Sequence, residues 1–195
     1  MIVDHPKAAM SDINWEEYYK GTAGNPPNPL LLKALTYVRG LEKAIDLGAG
    51  ALNETRYLLA QGFDVTTVDS SPLVEQMARS IGSPRLQPFT GSFEDFDFPE
   101  DEYDLVVAMF ALPFLESHFE DVFTKVKASL KVGGVFCGQF FGDRDQRKNH
   151  TNRTFHTKEQ VLELIGDLEI LAFEEEERLK GDMNSHIFHV IARKR

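Results

Sequence analysis

Two acids and two glycines stand where a chain can hold a charged, hydroxylated ligand. Asp46 ends a short apolar run, and Leu47, Gly48, Ala49 and Gly50 follow it directly. Asp69, with Ser70 behind it, comes 19 residues after Gly50. Glycine at such a turn tolerates φ > 0 and has no Cβ to block a ligand's approach. A helix beginning just past the turn presents unpaired N–H groups and a partial positive charge. That pairing suits the polar end of a nucleotide-like cofactor. An acid at the tip of the next strand is placed to accept hydrogen bonds from both hydroxyls of a ribose.

Two cofactor classes use such a turn with a distal acid. A dinucleotide calls for Gly-x-Gly-x-x-Gly, with its pyrophosphate on the helix. Here the third position is Asn53, and Asp46 stands two residues before the first glycine, facing a pyrophosphate with like charge. Both features count against a nicotinamide dinucleotide. Further along, Ser92 and Phe93 follow the third strand at a place where a purine ring can lie, and Met109 opens the run after the fourth.

These residues need a frame that gathers strand ends at one place, and the pattern supplies it. Residues 1–10 read as a lead-in, and Ser11–Asn14 as the cap of a helix carrying Trp15, Tyr18 and Tyr19. Gly21–Pro29 holds three prolines and two glycines, so it is a loop. It ends at Asn28 and Pro29, a good N-cap and first helical residue for a helix over Leu30–Arg39. Strands are then expected at Lys43–Leu47, Phe63–Val68, Arg85–Phe89, Tyr103–Phe110 and Gly134–Phe141. Helices over Leu52–Gln61, Pro72–Ile81, Ser117–Leu130 and Lys158–Ile165 complete the alternation. Such βα repetition predicts a parallel sheet with helices on both faces. Asp167–Leu179 and Asn184–Lys194, joined by Lys180-Gly181-Asp182, read as a closing antiparallel hairpin.

Bulk properties narrow the classes. The 195 residues, 42% hydrophobic, suit one ordinary globular domain. A net charge of −10 disfavours nucleic acid as partner. No run approaches the ~18 apolar residues of a membrane span, and the N-terminus has no secretory core. The expectation is a cytoplasmic protein.

The remaining reactive side chains point to quieter roles. Cys137 sits in an apolar strand, a place for core packing. His186 and His189 fall on opposite faces of a strand, and His118, His150 and His156 lack ligand spacing, so no metal is expected. His118, just past the fourth strand, is the one candidate general base. Glu174–Glu177 reads as a solvated outer strand whose charge discourages edge pairing. Gly142–His156 gathers Arg144, Arg147, Lys148 and Arg153, read either as a solvated loop or as a lid for an anionic acceptor.

At these residues, from about Leu30 to the C-terminus, the chain resembles the class I S-adenosylmethionine-dependent methyltransferases. The likeness includes Leu130–Gly142, where Gly133-Gly134 leads into the fifth strand. It looks most like the small bacterial enzymes grouped with tellurite-resistance and thiopurine methyltransferases. The resemblance implies a doubly wound, seven-stranded, mostly parallel α/β sheet with a C-terminal antiparallel hairpin. Residues 1–27 would form an N-terminal helix or lid, and 28–195 the Rossmann-like core of one domain.

It also implies S-adenosylmethionine as cofactor and a small-molecule methyl acceptor, the alternative being a sensor or scaffold that binds the cofactor without transferring its methyl. Asp46 would answer the ammonium of the methionine end, and Asp69 would hold the ribose. Leu47, Gly48, Ala49, Gly50, Ser70, Ser92, Phe93, Met109 and Tyr18 would complete the cofactor contacts, with Trp15 and Tyr19 beside Tyr18 facing the sulfonium. Two positions depart from the family. Leu52 replaces the third glycine of the turn, and Ser92 replaces an acid that meets the adenine amino group, with Glu94 and Asp95 close behind.

Overall fold

The strand ends bearing the acids and glycines do come together. The computed structural model describes residues 14–40, 42–115, 118–149, 153–180 and 183–195. Expectations for residues 1–13, Ser117, His150 and the Gly181-Asp182 link lie outside them.

In chain order the elements are α1 (Trp15–Thr22), α2 (Pro29–Leu35), β1 (Lys43–Leu47), α3 (Asn53–Gln61) and β2 (Asp64–Asp69). They continue as α4 (Pro72–Ile81), β3 (Leu86–Thr90), β4 (Tyr103–Ala108), α5 (Phe119–Ser129) and β5 (Leu130–Gly142). The last are β6 (Phe155–His156), α6 (Lys158–Leu164), β7 (Leu168–Lys180) and β8 (Met183–Lys194).

Helix starts follow their caps. Asn14 accepts from Glu17 N at 3.2 Å, Asn28 accepts from Leu30 N at 2.9 Å, and Thr157 forms a capping box with Gln160. The α2 helix stops at Leu35, short of the expected Arg39. There Thr36 Oγ1 donates back to the Lys33 carbonyl at 2.7 Å, a local bond that competes with helix propagation.

The strands run in the order β3-β2-β1-β4-β5-β8-β7. The first five are parallel, and β8 and β7 are antiparallel. Strand order reverses between β1 and β4, the point beyond which an open α/β sheet binds its ligand. Alternating side chains feed two cores. Ile45, Leu47, Phe136 and Phe140 pack toward Phe123 of α5 and Val161 of α6. Ala44, Leu105, Val107 and Cys137 pack on the other face with Leu31 of α2 and Leu58 of α3.

The sheet has eight strands, one more than expected. The extra one is β6, too short to carry an alternation signal. Phe141 pairs with Phe155 on one side and with Ile187 of β8 on the other. Since β4 last pairs at Ala108↔Gly138, β6 fills the place past the end of β4.

The acidic run lies on β7, the outer strand, exposed at Glu174, Glu175 and Glu177 as expected, and it is ion-paired as well. Glu174 pairs with Lys33, Glu175 with Arg144 and with His186 at 3.1 Å, Glu176 with His189 at 2.9 Å, and Glu177 with Arg144 at 2.6 Å.

Candidate cofactor site

The chain leaves β1 through a turn whose backbone is left-handed at three places: Gly48 (φ +68°), Gly50 (φ +48°) and Leu52 (φ +61°). Leucine at such a φ costs on the order of 1–2 kcal/mol. Its side chain is fully buried in the core with Leu58 and Leu31, which offsets that cost by about 2 kcal/mol. The missing third glycine therefore leaves the left-handed turn in place.

Asp69 fastens this turn from the tip of β2. Its carboxylate accepts from Gly50 N at 3.0 Å and from Ser71 N at 2.9 Å. Burial raises its carboxyl above the usual range, while those two N–H groups hold it down. Asp46 lies deeper, 2% exposed, and takes the Thr55 hydroxyl at 2.6 Å. Burial first, and the charge of Glu54 second, push its carboxyl up to about 8. Two carboxylates under tension from burial thus bracket one glycine turn, a pattern of functional sites.

Other elements close over the turn. A Cβ on Gly48 would stand 2.6 Å from Ala111 Cβ, and 3.8 Å from Phe93 Cζ. A Cβ on Gly50 would stand 3.2 Å from Tyr19 Cε1. Tyr19 is 8% exposed, and burial together with Asp69 raises its phenol. Trp15 stacks on Tyr19 at 5.8 Å and meets Phe114 edge-on at 5.2 Å.

The structure brings Asp46, Gly48, Gly50, Asp69 and Phe93 to one place. Leu47 and Ala49 are there as well, but their side chains are buried in the two cores. Met109 packs partly buried behind β4. Tyr18 is 55% exposed, so the tyrosine over the turn is its neighbour Tyr19. Ser70 is exposed. Ser92 is engaged in its own turn, donating to Asp95 at 2.8 Å and accepting its N–H at 3.2 Å. His118 caps α5 in a left-handed conformation, 3.7 Å from Asp121, on a shallow surface with Glu94 and Lys125. None of its described contacts reaches the glycine turn. Among the described residues, no three His, Cys, Asp or Glu side chains cluster as metal ligands.

Sequence reading missed Asn53 as a positive contributor. Its side chain accepts from Gly24 N at 3.0 Å and donates to Thr22 O at 2.9 Å, while Glu54 accepts from Asn28 N at 2.9 Å. These bonds strap the α1–α2 loop to the start of α3. Asn53→Ala is expected to lower α1 amide protection about five- to tenfold, the weight of one or two hydrogen bonds. Hydrogen exchange checks this, and unchanged α1 protection would refute the strap.

Comparison with known proteins places this geometry. Residues 44–134 match the model of the methyltransferase domain family. An uncharacterized methyltransferase, sll0829, of Synechocystis sp. is 33% identical over 97 residues, 49% of this chain and 45% of that protein. The match thus spans under half of that relative's length. TehB from Haemophilus influenzae superposes with a TM-score of 0.74 at 17% identity, covering 93% of this chain and 67% of its own. An S-adenosylmethionine-dependent methyltransferase from Mesorhizobium loti gives a TM-score of 0.68 at 20% identity, covering 85% and 96%.

Proposed function

We propose that the chain, whose residues 44–134 match the methyltransferase domain family and whose fold is that of TehB, transfers the methyl group of S-adenosylmethionine to a small-molecule acceptor. The observation that supports the reading most is the bracketing of one left-handed glycine turn by Asp46 and Asp69 at the switch point of the sheet.

The donor set fits the cofactor. Asp69 keeps lone pairs beyond those used by Gly50 and Ser71, enough for two ribose hydroxyls. Asp46 sets a buried carboxyl beneath the turn, whose ionised form would answer the methionine ammonium. The stacked faces of Trp15 and Tyr19 suit a sulfonium. When bound, with Asp46 at its methionine end and Asp69 at its ribose, the cofactor would supply an electrophilic methyl group on a sulfonium. The protein's part in this scheme is alignment and exclusion of water, with α1 as a cover strapped down by Asn53. We assign no general base. The uniform burial of the single cysteine, Cys137, fits a reducing cytoplasm.

Calorimetric titration with S-adenosylhomocysteine, with NAD run in parallel, tests the reading. Binding of the first alone supports it, and NAD heat without S-adenosylhomocysteine heat overturns it.

A pH dependence follows from Asp46. Its carboxyl titrates at about 8, so below that pH it is largely protonated in the free protein. A cationic ligand favours the ionised form, so binding releases a proton and affinity rises with pH until Asp46 is ionised. The slope approaches at most about tenfold per pH unit. S-adenosylmethionine, with its sulfonium, is expected to show this more strongly than S-adenosylhomocysteine. Calorimetry in buffers of different ionisation enthalpy reads the proton directly, and buffer-independent heats would refute the coupling.

A further inference from the structure

The Gly142–His156 segment is basic in an acidic protein, and its arginines divide sharply. Arg144 is held by Glu175 and Glu177, and Arg147 forks Asp145 through Nε at 2.8 Å and Nη2 at 2.6 Å. Arg153 has no hydrogen bond or ion pair to any described residue. Its guanidinium carbon instead lies 4.4 Å over the Phe114 ring and 5.8 Å from that of Phe141.

The position is not a free loop end. Thr154, the next residue, donates its N–H to Pro113 O at 2.9 Å and its hydroxyl to Leu115 O. Strand β6 follows at once, past the end of β4. Arg153 is therefore seated at the ligand end of the sheet, against the turn after β4. Around it stand Phe110, 6.1 Å from Phe141, and Phe155, stacked on Phe141 at 5.7 Å. Phe110 adopts φ +53°, a conformation that a bulky side chain rarely takes and that concentrates at functional sites. Its N–H is held by Gln139 Oε1 at 3.2 Å. Through Phe114, Trp15 and Tyr19 the same aromatic surface runs to Gly50 of the cofactor turn.

We propose that the methyl acceptor is a small carboxylate with a flat apolar body, its anion held by Arg153 and its body laid on the half-buried Phe110 and Phe114. The proposal rests on the methyl-transfer reading. A planar guanidinium offers two parallel N–H donors that match a carboxylate. Among the described residues of this aromatic patch Arg147 is already paired with Asp145, which leaves Arg153 to meet a monoanion. Partial withdrawal from water, and then the like charge of Arg147, disfavour the guanidinium, Asp145 offsets part of this, and an incoming carboxylate relieves the rest.

The protein reports on this place through its sole tryptophan, Trp15, in edge contact with Phe114. Benzoate and its neutral analogue benzamide are titrated against the full chain, with and without S-adenosylhomocysteine, following Trp15 fluorescence and heat. Benzoate is expected to bind at least about tenfold more tightly than benzamide. Arg153→Gln should erase that difference while leaving S-adenosylhomocysteine affinity within about twofold, and Arg153→Lys should keep part of it. Equal binding of the two probes by the wild type, or a preference that survives in Arg153→Gln, would overturn the proposal. Failure of the methyl-transfer reading shows separately, as absent S-adenosylhomocysteine heat in the wild type, because the benzoate titration needs no cofactor.

Discussion

Asp69→Ala is expected to lose S-adenosylhomocysteine binding by at least about a hundredfold, near 2.7 kcal/mol, while the sheet stays folded. Two effects add. The ribose loses its acceptor, and the turn loses the carboxylate that holds Gly50 N and Ser71 N. Hydrogen bonds to a charged partner contribute about 1.5–3 kcal/mol each. The fold survives because Asp69 lies at a strand tip, and the apolar packing of β2 through Val65 and Val68 is untouched. Asp69→Asn keeps the shape and one acceptor oxygen, so its loss should be smaller, about tenfold. Calorimetry gives the affinities and circular dichroism the fold. Affinity within about threefold of wild type in a folded Asp69→Ala would remove Asp69 from the cofactor site.

The largest effect on stability is expected at Gly142, the last residue of β5. A Cβ there would stand 1.9 Å from Nδ1, 2.3 Å from Cγ and 2.4 Å from Cε1 of His186. That ring is fully buried and doubly engaged. Its Nδ1 accepts from Arg144 N at 3.1 Å, so Nε2 carries the proton and donates to Glu175 at 3.1 Å. Gly142→Ala must displace the ring and break both bonds, a cost of about 3 kcal/mol or more. For a chain of this size that lowers Tm by about 6–12 °C. His186→Ala vacates the space, so the double variant should be less destabilised than the sum of the singles. Thermal denaturation of the four proteins closes the cycle. Strict additivity, or a Gly142→Ala within about 1 kcal/mol of wild type, would contradict the overlap.

Both positions show how legibility divides. The place of Asp69 was readable because it depends on local spacing: strand, glycine turn, helix, strand, acid. The same holds for Asp46, for Asn28-Pro29 at the head of α2 and for the closing hairpin, each a matter of neighbours along the chain. The role of Gly142 was not readable, since His186 is far away in sequence and meets it only because β8 returns beside β5.

Other differences have the same origin. Leu52 looked like a loss from the turn, yet the backbone keeps a left-handed φ there because the core shared with Leu31 and Leu58 takes in its side chain. The ion pairs of the exposed β7 glutamates were not readable because Lys33 and Arg144 come from distant elements. Asn53 looked only like a missing glycine until the α1–α2 loop folded onto it.

By itself, then, the sequence determined the βα alternation, the glycine turn and the two acids beside it, because periodicity and strand-end spacing act over a few residues. Tertiary structure alone decided which charges are spent on one another. Arg144 and Arg147 find acids, whereas Arg153 lies against aromatic faces with no ion pair to a described residue, and that follows from where β6 docks past the end of β4.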